Sequence, residues 1–197
     1  MTFYQRRGKR ILDFLLGIVS LPLLGVAGLV SAPLIRRDGG PAVYRSTRLG
    51  VGLEEFTMLK FRSMSVDAAD IRNADGTTFN AVDDPRVTPI GAVLRKTSVD
   101  ELPQIINVLK GDMSFVGPRP SPTGNQDRYD ALALRRFEVR PGITGLDQAL
   151  NRNSSSLAER YANDARYVDT CSLRLDLWIL LRTLVRVSSQ KGLHRNE

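Results

Sequence analysis

Residues 14–35, FLLGIVSLPLLGVAGLVSAPLI, carry no charged side chain. As a helix this run is about 33 Å long, enough to cross the hydrocarbon core of a bilayer. It is a poor signal peptide, because the apolar stretch is long and a second, polar part of the chain follows at once. Arg6, Arg7, Lys9 and Arg10 precede it, and Arg36 and Arg37 follow it. Positive charge favours the cytoplasmic side, so both ends are drawn to the same face. Pro22, near the middle, removes a backbone donor and is expected to break or kink the helix there. Three arrangements fit: a kinked hairpin that enters and leaves on one face, a kinked single span, and a buried soluble hairpin. The last is weakest, since the run has no polar face.

With 197 residues, the chain can build one domain with a substantial core. The boundaries expected are a membrane-associated segment over 1–38 and a catalytic domain over 39–197. The formal net charge of +7 and pI near 10 suit an anionic partner such as nucleic acid, anionic lipid or a phosphorylated ligand. Cys171 is the single cysteine and His194 the single histidine. These counts exclude a disulfide framework and a Cys/His zinc cage, and they argue against Ser-His-Asp or Cys-His catalysis. Acid, base or nucleophile must come mainly from carboxylates.

Over residues 42–62, two runs rich in Val, Tyr, Phe and Thr flank Gly50 and Gly52, which predicts a β-hairpin or two short strands. Residues 66–89 read as loop, with one short helix near 66–72. PIGAVLRK (89–96) predicts a short helix. Ser98 followed by Glu101 has the spacing of a capping box, and Leu102, Ile105, Ile106 and Leu109 give the next helix an apolar face that ends at Gly111. Polar helices are expected over 123–138 and 154–169. Residues 173–187 form an amphipathic helix that suits either the membrane interface, with Trp178 as anchor, or the core of the domain.

The chemistry concentrates in SVDELPQIINVLKGDMSFVGPRP (98–120). Asp100 and Glu101 are adjacent at the expected helix start, where the dipole keeps a carboxylate acidic. Such a group serves as nucleophile, metal ligand or plain cap, and Glu101 serves as a functional acid or as the capping-box partner of Ser98. Arg95 and Lys96 precede the pair. Arg119 follows between Pro118 and Pro120, and Arg140 stands before Pro141. Stiffened backbone is how a site holds a guanidinium for a two-pronged phosphate contact. Carboxylates, Mg²⁺ and arginines together point to phosphoryl chemistry. There is no GxxxxGK[ST], so a P-loop is excluded.

KRILDF before the apolar run, RLG, KFRSM, SVDELPQIINVLKGDMSFVGPRP and VRPGITG together resemble the bacterial sugar transferase family, the monotopic phosphoglycosyl transferases. The resemblance covers about residues 7 to 187. It implies a mainly helical α+β fold with an N-terminal re-entrant membrane helix, interfacial amphipathic helices and a compact catalytic core with a short β-hairpin. It places the protein at the bacterial inner membrane, with the catalytic domain on the cytoplasmic face. The implied reaction moves a phospho-sugar from a nucleotide-sugar, of the UDP type, to polyprenol phosphate through an aspartyl phospho-sugar, with Mg²⁺ as cofactor. Asp100 is then nucleophile and Mg²⁺ neighbour, and Glu101 takes the proton from the incoming polyprenol phosphate. Arg95, Arg119 and Arg140, with Lys60 and Arg62 of KFRSM, become phosphate- or nucleotide-binding residues. The implied partners are nucleotide-sugar, polyprenol phosphate and the lipid bilayer, not nucleic acid; a homo-oligomer is compatible.

Two departures stand out. Many members carry Ser-Pro at the helix break, where this chain has Gly25-Val26 with Pro22 one turn earlier. Many have Trp-Ala-Gln after VRPGITG, where this chain has Leu146-Asp147-Gln148. The competing reading is a membrane-anchored nucleic-acid-binding or regulatory module. No helix-turn-helix or RNA-binding signature supports it, and the arginines sit among acids rather than on one basic stripe.

Overall fold

The computed structural model describes residues 3–69, 71, 84–151 and 155–188. His194 lies outside them. The short helix expected near 66–72 falls partly outside as well, and residues 66–69 form a turn and loop.

The apolar run becomes α1 (Lys9–Ile35), preceded by a π-helical turn over Tyr4–Gly8. Pro22 and Pro33 both lie inside α1, and the helix continues through each. The break expected at Pro22 is therefore not an interruption of the helix. A proline removes one donor, and the flanking turns keep their own hydrogen bonds.

One side of α1 is docked along its whole length. Asp13, Gly17, Ser31 and Ile35 are buried, with Leu24 and Ala27 partly so, at the three- and four-residue spacing of one helical face. Near the N-terminal end, a Cβ added at Gly17 would lie 2.6 Å from Leu109 Cδ2, so the backbone of α1 rests on a neighbouring helix. Arg10 donates to the carbonyls of Val108 and Leu109, the latter at 2.7 Å. Buried Asp13 accepts from Ser114 Oγ and the Phe115 amide, both at 2.9 Å. Lys9 pairs with Asp176 at 2.7 Å, and Tyr4 and Tyr167 donate to the same carboxylate. At the other end, Arg62 donates to Ile35 O at 3.0 Å and to both Asp38 oxygens at 2.5 and 2.6 Å. Both ends of one continuous helix thus hold to one body. The opposite side exposes apolar groups, with Val19 at 77% and Leu29 at 80% accessible.

The expected hairpin is β1 (Val43–Leu49) and β2 (Glu55–Phe61), antiparallel from Val43↔Phe61 to Leu49↔Glu55. A third short strand, β4 (Ser121–Pro122), joins β1 on its other side. This leaves β2 as an edge with unpaired backbone groups. Asn107, buried at 1% exposure, fills that place: its Oδ1 accepts from Leu59 N at 3.0 Å, and its Nδ2 donates to Thr57 O at 2.7 Å. A side-chain amide imitates the missing strand residue.

Helix α2 (Pro89–Thr97) is capped by Thr88, whose Oγ1 accepts from Gly91 N at 3.1 Å. Helix α3 (Gln104–Lys110) ends at Gly111, with φ of 101°. Its buried face is Gln104, Ile105, Asn107 and Val108, whereas Ile106 is 36% exposed, so the expected apolar face is rotated by part of a turn. Strands β3 (Ser114–Val116) and β5 (Gly142–Thr144) pair in parallel. The segment expected to be helical over 123–138 is broken into the short α4 (Ala131–Leu134) between 3₁₀ turns. Three further helices follow: α5 (Leu146–Asn151), α6 (Leu157–Thr170) and α7 (Leu173–Ser188). Val116, Leu146, Ala149, Tyr167, Cys171 and Ile179 form one core cluster. Helix α7 contributes Ile179 and buried Asp176 to the interior but exposes Leu177, Trp178, Leu181, Leu184 and Val185. It is a core helix, as one of the two expectations had it, with an uncovered apolar side. The result is a mainly helical fold with a small sheet and one long apolar N-terminal helix.

Candidate active site

The Asp-Glu pair does not open an α-helix. Ser98 adopts left-handed backbone, with φ of 58° and ψ of 16°, and closes α2; residues Val99–Glu101 then form a single 3₁₀ turn before α3. No side-chain cap bond forms at Ser98. The capping-box reading of Glu101 is thereby corrected: a left-handed Ser98 cannot offer its hydroxyl in N-cap geometry. A true capping box occurs instead at Ser156 and Glu159, at the start of α6.

Freed from capping, Glu101 faces cations. Lys60, from the end of β2, donates to its Oε1 at 2.7 Å, and Arg119 Nη2 lies 3.5 Å from the same oxygen. Asp100 is buried at 8% exposure. Arg95, from the last turn of α2, donates through Nε to Ser63 Oγ at 2.8 Å, and its charge acts on Asp100. Lys60, Arg95, Asp100, Glu101 and Arg119 are thus brought together from β2, α2, the 3₁₀ turn and the loop after β3.

Arg62 and Arg140 are placed elsewhere. Arg62 is buried and spends its guanidinium on Asp38, Ile35 O, Pro41 O and Met64 O, so it fastens the end of α1 to β2. A cation so engaged has no donor left for phosphate, which corrects its expected role. Arg140 is exposed and donates through Nε to Gly111 O at 2.8 Å. That carbonyl lies at the C-terminal end of α3, whereas the dyad precedes its N-terminal end.

The two acids are driven apart electrostatically. Burial pushes Asp100 up to about 6, against Lys60 and Arg95, with Glu101 adding to the rise. The expectation of an acidic Asp100 at a helix N-terminus is corrected, because there is no helix N-terminus there and desolvation dominates. Burial also acts to raise Glu101, but Lys60 and Arg119 outweigh it and hold Glu101 down to about 2. In this arrangement Glu101 is held ionised by its two cations.

The motifs VGPRP and VRPGITG meet across the parallel pair β3–β5. Gly117 N donates to Thr144 O at 2.8 Å, and Gly142 N to Pro118 O at 2.8 Å. A Cβ at Gly142 would lie 2.1 Å from Gly117 N, and one at Gly117 would lie 2.3 Å from Arg140 O. The glycines are required because two backbones cross at contact distance. Helix α2 is set against the end of β2 in the same way, a Cβ at Gly91 falling 1.9 Å from Ser63 O.

Three residues of this region were not singled out from the sequence: Ser63, Asn107 and Arg136. Ser63 lies within KFRSM, which could have flagged it. The last two are an ordinary polar residue in a helix and one arginine of a pair, with no distinguishing spacing. Asp147, at the departure from Trp-Ala-Gln, is buried and accepts from Ser155 Oγ at 2.9 Å and Asn163 Nδ2 at 3.0 Å. Its charge is thus solvated by neighbours of α5 and α6.

A hard cation fits these residues in one way only. Among the described residues, no group of three or more His, Cys, Asp and Glu side chains could hold a metal by itself. Asp100 is the one dyad carboxylate with no hydrogen-bonded cation, since Glu101 is engaged by Lys60 and Arg119. One protein carboxylate completed by substrate phosphate oxygens and water is the usual manner of Mg²⁺ binding.

Residues 4–190 match the family model described as bacterial sugar transferase. The chain belongs to the bacterial sugar transferase family. It is 42% identical to the galactosyl transferase CpsE of Streptococcus agalactiae over 93% of this chain and 43% of that protein. It is 39% identical to the exopolysaccharide production protein ExoY of Rhizobium meliloti, over 93% of this chain and 87% of that one. With the UDP-glucose:undecaprenyl-phosphate glucose-1-phosphate transferase of Caulobacter vibrioides it shares 40% identity, over 89% of this chain and 68% of the relative. The chain thus spans less than half of CpsE and most of ExoY.

Proposed function

We propose that this bacterial sugar transferase moves a phospho-sugar from a UDP-sugar to undecaprenyl phosphate, or a similar polyprenol phosphate, by double displacement on Asp100. The observation that carries the reading is the pairing of a buried carboxylate, to which no cation is hydrogen-bonded, with a neighbour neutralised by Lys60 and Arg119. Relatives named as acting on UDP-sugars and undecaprenyl phosphate supply the substrate class.

In the first step an Asp100 carboxylate oxygen attacks the phosphorus that bears the sugar. The P–O bond to the nucleotide breaks, and its electron pair leaves with uridine monophosphate. Arg119, Lys60 and Arg95 offset the negative charge of the diphosphate, which would otherwise repel a carboxylate. Asp100 is the residue that would hold Mg²⁺, which when bound would supply further positive charge to offset the negative charge of the leaving group. In the second step an oxygen of the polyprenol phosphate attacks the same phosphorus and displaces Asp100. Glu101 takes the proton of the incoming polyprenol phosphate, and becomes competent to do so once the phosphates of the adduct and of that lipid draw Lys60 and Arg119 toward themselves.

Incubating the protein with polyprenol phosphate, Mg²⁺ and a panel of UDP-sugars should release uridine monophosphate for at least one sugar. Excess chelator should stop release, and Mg²⁺ should restore it better than Ca²⁺, whose looser coordination suits a shared site less well. Full turnover in chelator would remove the cation from the mechanism. No release from any nucleotide-sugar would remove the reaction.

The proposal extends to the membrane. Helix α1 rests lengthwise on one body and presents its far side, so it lies in one leaflet or re-enters from it, with the catalytic core on the cytoplasmic face. The exposed apolar side of α7, with Arg182 stacked 5.6 Å from the Trp178 ring, lies at the same interface. Single cysteines at Arg6 and Arg37, in a Cys171→Ser background, should react with an impermeant thiol reagent from the same side. Reaction from opposite sides would make α1 a span and would require its two ends to leave the body that holds them.

A further inference from the structure

Arg136 is a buried cation, 6% exposed. Its Nη2 donates to the main-chain carbonyl of Arg119 at 2.8 Å. The same nitrogen lies 3.1 Å from Asp164 Oδ2, a carboxylate buried at 3% exposure. That contact is an ion pair without hydrogen-bond alignment, since Asp164 Oδ2 has no hydrogen-bond partner. The guanidinium carbon also sits 5.2 Å from the Tyr161 ring centroid and 5.9 Å from that of Phe137. A cation desolvated to this degree, and held by a carboxylate and two rings, is fixed in place. The hydrogen it gives to Arg119 O is the contact that reaches the active site.

Arg119 is otherwise lightly tethered. Its own side chain is half exposed and touches Glu101 only at 3.5 Å. Pro118 and Pro120 restrict its backbone, and Gly142 N binds Pro118 O, but neither contact sets the peptide plane of Arg119 itself. A cleft of about 10 Å³ lined by Pro118, Arg119, Arg136 and Phe137 leaves room for about one water.

We infer that Arg136 is a positioning residue: it clamps the Arg119 main chain so that the Arg119 side chain points at the diphosphate. This rests on the diphosphate-binding reading given above. Arg136 touches no substrate, and Asp164 serves it by neutralising its charge.

A double-mutant cycle over Arg119→Ala and Arg136→Lys tests the inference. Arg136→Lys keeps the charge beside Asp164 but loses the planar fork that reaches Arg119 O. Two quantities are read on all four proteins: the affinity for inorganic diphosphate with Mg²⁺, by calorimetry, and KM and kcat for the UDP-sugar. Melting temperature is measured beside them. Each single variant is expected to weaken diphosphate binding by about 10- to 100-fold, as for loss of one charge-assisted contact. The double variant should be no weaker than Arg119→Ala, because Arg136 acts through that residue. Arg136→Lys should raise KM far more than it lowers kcat, with the melting temperature nearly unchanged.

Losses that multiply in the double variant would overturn the inference, as would an Arg136→Lys protein that melts early while its diphosphate affinity is intact. So would a wild-type protein that binds no diphosphate. Wild-type protein that binds diphosphate and obeys the cycle, yet turns over no UDP-sugar, would overturn the proposed reaction and leave the positioning role standing.

Discussion

Asp100→Asn should lower turnover by at least about 10³-fold, because a neutral amide cannot form the covalent intermediate. The substitution is nearly isosteric, and Asp100 makes no ion pair that its loss would strand. Folding should therefore survive, and the defect should be chemical. The decisive measurement is the first half-reaction alone. Wild-type protein with UDP-sugar and Mg²⁺, without lipid, should release uridine monophosphate in amounts stoichiometric with protein and gain the mass of one phospho-sugar. Asp100→Asn should show neither signal. Release that appears only when polyprenol phosphate is present, with no mass gain, would mean direct attack by the lipid and a different role for Asp100. Glu101→Gln is a sharper companion than the sequence suggests, because Glu101 does not bond the Ser98 amide and its loss removes no helix cap. It should form the adduct and stall at transfer to lipid.

Gly142→Ala should be strongly destabilising. Its Cβ would fall 2.1 Å from Gly117 N, 2.4 Å from Thr144 O and 2.6 Å from Gly117 O. All three are backbone atoms, of β5 itself or of the residue that follows β3, so no flexible side chain can yield. Forcing strands apart by even one methyl group in a packed site costs about 1–3 kcal/mol, and contacts this close lie at or above the top of that range. A loss near 3 kcal/mol corresponds to a fall in melting temperature of about 10 °C for a chain of this size. The same displacement moves Pro118 and Arg119, so diphosphate affinity should fall with stability. Gly25→Ala is the control: that residue is exposed in α1, with nothing within 4 Å of an added Cβ, and should be neutral or slightly stabilising. An unchanged melting temperature in Gly142→Ala would show that the strands separate more easily than their geometry indicates.

The two glycine positions illustrate how legibility divides. Gly142 stands in VRPGITG and Gly25 in an apolar run, and neither neighbourhood states which backbone crosses another. The capping pattern behaves similarly. Ser-x-x-Glu occurs at Ser98 and at Ser156, and only the second is a capping box. At Ser98 the chain must turn from α2 into a 3₁₀ turn packed on β2, and that tertiary demand selects left-handed backbone over the local preference. The expected acidity of Asp100 failed for a related cause. A dipole argument uses position along the chain, whereas burial depends on what folds over the residue.

The sequence by itself determined the long apolar helix, the β-hairpin, the helix over 89–96, the family and the pair of acids, because these follow from periodicity, charge and contiguous motifs. It also marked Lys60, Arg95 and Arg119. Only the tertiary structure decided which cations share the acids, since that depends on strands and loops distant in sequence converging. It diverted Arg62 to the end of α1 and Arg140 to the end of α3, and it set Arg136 behind Arg119. It laid both ends of α1 on one body, because Arg10, Asp13 and Arg62 find hydrogen-bond partners about 24 to 102 residues away in the chain. A hydropathy pattern records that a segment avoids water; the partners of its few polar groups decide how it lies.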